Sequence, residues 1–264
     1  MKKSMIAFGV AALCGAVSFA DVQSANVVGY MTQNIVDGTE NMGGISFLAV
    51  DGDDIDLNAN VQVENLVKSD LADTADRIMV WDPSNSGYTT YYFYNAEGDE
   101  ENWGWHDENF ELPDAKLPAG TAFWFMAYQE GDEPAEKNIT VSGAVEDAIV
   151  EPFEIVDGTE NTFVNPYPCA IDLNDEKTVI LANVTKSDMA DTADRIMVWD
   201  PSNSGYTTYY FYNAEGDEEN WGWHDENFEL SDAVLPAGTA FWLYAYQEGD
   251  EPATDKTIQF VKPF

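Results

Sequence analysis

The stretch ADTADRIMVWDPSNSGYTTYYFYNAEGDEENWGWHDENFEL fills residues 72–112 and returns, letter for letter, at residues 190–230. A shorter match, IVDGTEN, begins at Ile35 and again at Ile155. The spacing between copies is close to half of the 264 residues. Such a repeat is far longer than that of a solenoid, so each copy is predicted to fold as a domain with its own core.

The clearest secondary structure inside the repeat is a hairpin. RIMVW (77–81) and YTTYYFYN (88–95) are rich in β-branched and aromatic residues, and DPSNSG between them has turn chemistry. In the second arm, Tyr91 and Phe93 share one face, and Tyr88, Tyr92 and Tyr94 share the other. One face is expected to cover the core, and the other to meet a second sheet, a neighbouring molecule or a ligand.

Further strands are predicted on both sides of this hairpin. A strand ending in an Asp-Gly turn opens each copy, and LPAGTAFW begins a long strand after the acidic loop. In the first copy, residues 60–70 have the spacing of a short helix, whereas the matching residues 178–188 are β-branched. The remaining predicted strands are 44–50, 162–171, 138–143 and 256–262.

The fold class that follows is all-β, with two tandem homologous domains of the β-sandwich or barrel-like type, each of about 120 residues. We predict a signal peptide over 1–20, a first β domain over 21–146 and a second over 147–264. Lys2 and Lys3, the apolar run after them and Ser18-Phe19-Ala20 form the pattern of a cleaved signal. The chain is therefore expected to be secreted or held at the cell surface, with no membrane span in its mature form.

The charge of the chain excludes one class of partner. The formal charge is −38, and it becomes −40 once Lys2 and Lys3 leave with the signal. Nucleic acid and anionic lipid would be repelled by such a chain. The acidity fits either solubility in a saline medium or binding of divalent cations.

Cysteine gives no internal crosslink. Cys14 lies in the signal, so Cys169 is the one thiol of the mature chain and has no partner for a disulfide. Either a buried inert thiol or a bridge to another molecule would account for it.

The motifs VVGYMTQNI after a signal peptide, RIMVWDPSNSGYTTYYFYN, Trp-Gly-Trp and LPAGTAFWF resemble a group of exported repeat proteins of verrucomicrobial and related bacteria. Members of that group are often acidic and contain one or two such β domains. The resemblance implies a β fold and export, and it implies no activity. The second copy has IVEPFEI where the first has VVGYMTQNI, which leaves the role of the opening strand open.

The loop NAEGDEENWGWHDEN (95–109 and 213–227) is the best candidate for a binding site, because it is dense in carboxylates and aromatic rings. Two tryptophans at strand spacing would share a face on which a sugar ring could stack, although such pairs also occur in cores and interfaces. The predicted ligand-binding residues are Trp103, Trp105, His106, Tyr92 and Tyr94, with Trp221, Trp223, His224, Tyr210 and Tyr212 in the second copy.

The acidic residues of the same loop suggest a metal. Clustered carboxylates are what Ca²⁺ prefers, so Ca²⁺ is the one cofactor that we predict; a solvated acidic turn is the alternative, and the spacing matches no EF-hand. Asp51, Asp53, Asp54 and Asp56 form a second acidic group in the first copy alone. The predicted ligands are Glu97, Asp99, Glu101 and Asp107, with Glu215, Asp217, Glu219 and Asp225 in the second copy.

No pattern of an enzyme accompanies these residues. His106 and His224 are the two histidines, and the sequence holds no zinc-ligand spacing, P-loop, dinucleotide fingerprint or nucleophile elbow. We therefore expect a non-enzymatic protein. One hypothesis is a structural or adhesive surface protein that associates through exposed strand edges; the other is a bivalent glycan-binding protein that uses the Trp-Gly-Trp loops.

Overall fold

A computed structural model describes residues 28–47, 54–82, 87–107, 109, 115–145, 152–155, 160–228, 233–247 and 255–261. The fold is all-β, as predicted. The strands of the first half are β1 (Val28–Val36), β2 (Glu40–Gly44), β3 (Ile55–Asp56), β4 (Val61–Val63), β5 (Arg77–Asp82), β6 (Gly87–Tyr94), β7 (Gly104–Asp107), β8 (Lys116–Leu117), β9 (Ala122–Met126) and β10 (Glu136–Ala144). Those of the second half are β11 (Phe153–Ile155), β12 (Glu160–Val164), β13 (Ile171–Asp172), β14 (Val179–Ala182), β15 (Arg195–Asp200), β16 (Gly205–Tyr212), β17 (Gly222–His224), β18 (Val234–Leu235), β19 (Ala240–Tyr244) and β20 (Lys256–Phe260).

Helix is minor in this structure. One α-helix, α1 (Leu57–Asn60), and four 3-10 turns are found in the described part of the chain; the turns are Ala72–Thr74, Glu100–Asn102, Ala190–Thr192 and Glu218–Asn220. The α-helix has four residues, and none of the helices in the described ranges is long and apolar enough to cross a membrane.

The two halves contain the same set of sheets. A five-stranded sheet has the order β2-β9-β5-β6-β7 in the first half and β12-β19-β15-β16-β17 in the second. A three-stranded sheet, β1-β10-β4 or β11-β20-β14, and a two-stranded ribbon, β3-β8 or β13-β18, complete each half. Every one of these pairings is antiparallel and joins strands of the same half. The proposed boundaries at 21–146 and 147–264 remain predictions.

The core of each half lies between its five-stranded and three-stranded sheets, which is the layering of a β-sandwich. Ile78 of β5 and Phe125 of β9 face Ile139 and Val141 of β10, and all four are 0–1% exposed. The alternation of RIMVW explains this choice, because a strand presents every second residue to one face. The predicted hairpin is confirmed as β5 and β6, and Tyr91 and Phe93 pack against the core as the shared face required.

Two details of the predicted strand pattern are wrong. The second strand of the first half is β2, which ends at Gly44, rather than 44–50; residues 45–47 are buried without being strand, and 48–50 lie outside the described residues. The helix expected over 60–70 is also absent, because Val61 and Val63 pair with Val141 and Ile139 as strand β4. The short helix α1 lies just before them, where the Asp56 side chain caps it by accepting a hydrogen bond from the Asn58 amide (2.8 Å).

The turns follow the prediction among the described residues. The Asp37-Gly38 turn has Gly38 at φ +71°, and residues 201–204 form the turn of the second hairpin. Its counterpart at 83–86 and the Asp157-Gly158 turn lie outside the described residues. Cys169 is free and half-buried against the core of the second half, and burial raises the pKa of its thiol.

Candidate functional site

The two tryptophans of each predicted site are in different environments. Trp103 is 47% exposed, whereas Trp105 is 2% exposed and belongs to the core. The prediction that the pair shares one face is therefore wrong. It assumed an extended segment, but a 3-10 turn ends at Asn102, and Gly104 adopts φ +154° before β7 begins. Trp221 and Trp223 repeat the arrangement at 47% and 1% exposed.

The exposed tryptophan is held in one orientation by the loop. The Trp103 indole Nε1 donates a hydrogen bond to the Ala96 carbonyl oxygen (3.0 Å), and Trp221 does the same to Ala214 (2.9 Å). These bonds fix the edge of each ring and leave part of the ring to solvent. Stacking on a ligand is consequently confined to one tryptophan in each loop.

The predicted tyrosines and histidines hold the loop together rather than facing solvent. Tyr92 and Tyr210 are 2% and 1% exposed, and burial raises the pKa of both phenols. The buried His106 ring has Nε2 at 2.7 Å from the Asn102 carbonyl oxygen, so Nε2 carries the proton and donates it. His224 makes the same contact with Asn220 (2.7 Å). As ligand contacts, the tyrosines at 92 and 210 and both histidines are unsuitable because they are buried.

Tyr94 and Tyr212 anchor the acidic residues. The Tyr94 hydroxyl donates to Asp99 Oδ2 (3.0 Å), and the Asn102 amide donates to Asp99 Oδ1 (2.7 Å). Tyr212, Asn220 and Asp217 reproduce this pattern in the second half. The hydrogen bond to the carboxylate is the main cause that raises the pKa of Tyr94 and of Tyr212. Asp99 thus has both oxygens engaged by the protein.

The other predicted calcium ligands point to separate places. Glu97, Glu101, Glu215 and Glu219 are exposed, and Asp107 and Asp225 accept from the amides of Asn109 and Asn227 in their own turns. Within the described ranges, no group of three or more His, Cys, Asp or Glu residues is placed to hold a metal ion. Asp51 and Asp53 lie outside those ranges, and Asp56 is the helix cap described above. The calcium prediction stays a prediction.

An asparagine outside the predicted site completes the loop. Asn58 accepts a hydrogen bond from the Trp105 amide through Oδ1 (2.7 Å) and donates to the Trp105 carbonyl through Nδ2 (3.3 Å). Asn174 makes the same two bonds to Trp223 (2.6 and 3.1 Å). The signal that could have revealed it is the tetrapeptide IDLN, which occurs at 55–58 and 171–174 while the acids around it differ.

A second aromatic surface covers the outer face of each five-stranded sheet. In the first half, Met42, Trp124 and Met79 stand side by side across β2, β9 and β5, and Trp81 pairs with Tyr88 one step further along. The Trp81 and Tyr88 rings meet edge to face with centroids 5.2 Å apart. The sequence predicted this face to be aromatic but could not say what it meets.

The outer faces of the two halves meet each other. The Trp199 ring packs edge to face on Trp124 with centroids 5.4 Å apart, and its indole Nε1 donates to the Glu40 carbonyl oxygen (2.8 Å). Ser46 donates to the Asn165 carbonyl oxygen (2.6 Å), and Gly44 lies so close to Val164 that a β-carbon would overlap it. The hairpin of the second half is therefore part of an intramolecular interface.

The opening strand of the first half adds to this contact. Met31 packs on Gly238, and the Gln33 side-chain amide donates to the Gly238 carbonyl oxygen. The equivalent strand β11 has three residues in the described part of the chain, against nine in β1. The equivalent glycine, Gly120, faces open space among the described residues, because a β-carbon added there would meet no atom within 4 Å. The different opening sequences thus make the interface asymmetric.

Comparison with known proteins does not assign the chain to a family. No protein-family model matches the chain, and no curated protein sequence is similar to it. Among solved structures, the chain is similar to one described as "Structure of the Macrobrachium rosenbergii Nodavirus", with 11% identity over 97% of this chain and 96% of that chain. The TM-score of this similarity is 0.18, which is too low to bear on fold or function.

Proposed function

We propose that the chain is an exported, non-enzymatic β-repeat protein with a structural or adhesive role outside the cell, and that it associates with copies of itself at strand edges. The observation that carries this proposal is β1. It is nine residues long and pairs with β10 along its whole length. In the described part of the chain no strand pairs with its other edge, and Tyr30 on its outward face is 77% exposed.

A long edge strand whose backbone groups are not paired by another strand is a template for one, and natural proteins that do not associate usually blunt such edges. A groove of about 330 Å³ runs beside β1, between Thr32 and Asn34 on one side and Pro201 and Pro236 of the second half on the other. The resemblance to exported repeat proteins and the predicted signal peptide support the location.

The test is the oligomeric state of residues 21–264 as a function of concentration and salt, by light scattering after gel filtration. Association should grow with concentration and with sodium chloride, because salt screens the repulsion between chains of charge −40. Tyr30→Asp, which adds a like charge on the edge, should shift the protein to monomer. Leu71→Asp, at a residue that is 57% exposed in a loop, is the matched control and should leave association unchanged.

A protein that stays monomeric at every concentration in high salt, or two variants that behave alike, would overturn the proposal. Calcium belongs in the same experiment as a separate additive, compared with sodium chloride at equal ionic strength, because screening is then matched and only binding of the predicted cation would add to association.

A second function has its own observation. Trp103 and Trp221 are equally exposed and equally fixed by their indole hydrogen bonds, so the chain presents two identical platforms. Bivalent binding of a glycan would use them together. In affinity electrophoresis through polysaccharide gels, the Trp103→Ala/Trp221→Ala variant should migrate freely where the wild-type chain is retarded. Equal retardation of the folded double variant would exclude the loops as the binding site.

A further inference from the structure

The interface between the halves is closed on one side and open on the other. On the closed side, Trp199 is seated on Trp124 and bonded to Glu40. The corresponding residue of the first half is Trp81, in a hairpin of identical sequence. Trp81 is 49% exposed and, among the described aromatic residues, its ring contacts that of Tyr88. The same hairpin is thus packed in one half and free to meet a ligand in the other.

The open side forms a cleft of about 250 Å³ between the two halves. Trp81, Tyr88 and Trp124 of the first half line it, together with Trp242 and Thr162 of the second. Ligand pockets for drug-sized molecules start at about 300 Å³, so this cleft has room for a single sugar residue or a compound of that size. Its walls contain aromatic rings, two methionines, small aliphatic side chains and two threonines.

One hydrogen-bond donor of the cleft lining lacks a partner among the described residues, as does the Trp223 indole away from the cleft. The Trp242 indole Nε1 is buried and, within the described part of the chain, has no acceptor. The indole groups of Trp199, Trp103 and Trp221 each donate to a backbone carbonyl. A buried donor left without an acceptor destabilises the folded chain, and an incoming hydroxyl or carbonyl oxygen would supply the missing bond.

The charge of the site selects among ligands. Among the residues that the structure describes, no charged side chain lines the cleft, and the whole chain carries a formal charge of −38. An anionic ligand would therefore be repelled without a local cation to hold it. An uncharged ligand with a flat apolar face and hydroxyl groups at its edge fits the rings, the threonine hydroxyls and the free indole donor. A neutral pyranose sugar has that chemistry.

We infer that this cleft is a binding site for one residue of a neutral glycan, with Trp81 and Tyr88 as the stacking surface and Trp242 Nε1 as a hydrogen-bond donor to a sugar oxygen. Within the described part of the chain the site is asymmetric, because Trp199, the counterpart of Trp81, is packed on Trp124. It does not depend on the self-association proposed above or on the Trp-Gly-Trp loops.

The repeat supplies a matched pair of variants for the test. Tyr88→Ala removes part of the wall of the cleft. Tyr206→Ala makes the same change in a hairpin of identical sequence, but Tyr206 does not line the cleft. Trp242→Phe keeps the ring and removes the donor. Residues 21–264 and each variant would be titrated calorimetrically with cellohexaose, laminarihexaose and mannohexaose, with oligogalacturonate as the anionic comparison.

We expect one of the three neutral oligosaccharides to bind with one site per chain. Tyr88→Ala and Trp242→Phe should each weaken binding about tenfold, which corresponds to the loss of one ring contact or one hydrogen bond, and Tyr206→Ala should not weaken it. The Trp103→Ala/Trp221→Ala variant should bind as the wild-type chain does. Absence of binding by all three sugars, equal effects of the two tyrosine variants, or binding lost in the double tryptophan variant would overturn the inference.

Discussion

At the scale of single residues, the least expected feature is a buried lysine in each half. Lys137 is 0% exposed and contacts Asp76 (2.7 Å) and Asp37 (2.9 Å), and it donates to the Tyr128 carbonyl oxygen (2.9 Å). Lys256 and Asp194 repeat the pair at 2.9 Å. A buried lysine is tolerated when its charge is matched and its three protons are all bonded, as here.

The carboxyl groups of this cluster predict an unusual dependence of stability on pH. Burial raises the pKa of Asp76 and of Asp194, against the opposing effect of the neighbouring lysines. Burial also acts on Asp37, but hydrogen bonds from the Ala135 amide and from Lys137 outweigh it and lower its pKa. Two carboxyl groups that share one ammonium group thus shift in opposite directions.

The sign of each contribution follows from linkage. Asp76 and Asp194 bind a proton more tightly in the folded chain, so they add stability as pH falls through their folded pKa values towards the ordinary value of about 3.9. Asp37 adds stability above that value and loses it as pH falls through its own lower pKa. The repulsion within a chain of charge −38 also weakens as carboxylates protonate.

We therefore expect the free energy of unfolding to rise as the pH falls from 7 towards the ordinary aspartate value of about 3.9, and to fall again at more acid pH, where Asp37 protonates. Urea titrations across this pH range measure it. Repeating them in high salt removes most of the surface repulsion but little of the effect of buried groups, so part of the rise should persist. A free energy that falls steadily from pH 7 would contradict this account.

At the scale of elements, strand β7 is paired on one side by β6 and on the other by a side chain. Asn58 supplies an amide and a carbonyl to Trp105 in the way that a neighbouring strand would. Asn58 thus covers the edge of the five-stranded sheet at Trp105, which has the largest buried side chain of the first half. The tetrapeptide IDLN therefore contributes to sheet structure through its asparagine.

Asn58→Ala should destabilise the first half by about 1–3 kcal/mol, because the Trp105 amide and carbonyl would lose partners at a buried position. The Trp105 amide proton should also exchange with solvent faster in the variant. Asn109→Ala is the control, since that side chain is exposed and bonds to Asp107 in its own turn. Equal stability of the two variants would show that the Asn58 bonds contribute nothing.

At the scale of the whole molecule, the halves touch through small residues as well as aromatic ones. Gly44 and Val164 are in contact at the ends of β2 and β12, and a side chain on Gly44 would overlap the valine. Gly44→Ala should thus cost about 1–3 kcal/mol by forcing the contact apart. In the double variant Gly44→Ala/Val164→Ala the removed methyl groups make room, and part of that loss should return.

The measurement is a double-mutant cycle on the free energy of unfolding, with tryptophan fluorescence as the signal. Coupling of opposite sign to the single effects supports the contact. Additive effects of the two substitutions would mean that the halves do not press on each other at this place.

The sequence was enough to predict the hairpin and the β class. Ile78, Tyr91 and Phe93 alternate with outward residues, and that alternation is a local property. It was not enough for the tryptophan pair. Strand spacing places Trp103 and Trp105 on one face only if the chain is extended between them, and the 3-10 turn before Trp103 and the conformation of Gly104 decide otherwise.

The environments of the candidate sites could not be predicted from local sequence. Trp81 and Trp199 have identical neighbours for several residues on either side, yet one is exposed in a cleft and the other is packed against Trp124. Their difference comes from residues distant in sequence. No pattern within the hairpin could have distinguished them. The same holds for the buried Lys137, whose partners Asp37 and Asp76 lie far from it in sequence.

The pairing of β1 with β10 also determines how the molecule would respond to tension. Val28, the first residue of β1, lies opposite Ala144, the last residue of β10. A pull on the two ends of this half therefore acts on one end of the ladder, and its hydrogen bonds break one after another instead of sharing the load. Phe153 opposite Ile258 places the second half under the same condition. A molecule anchored at one end and pulled at the other would unzip at low force, half by half.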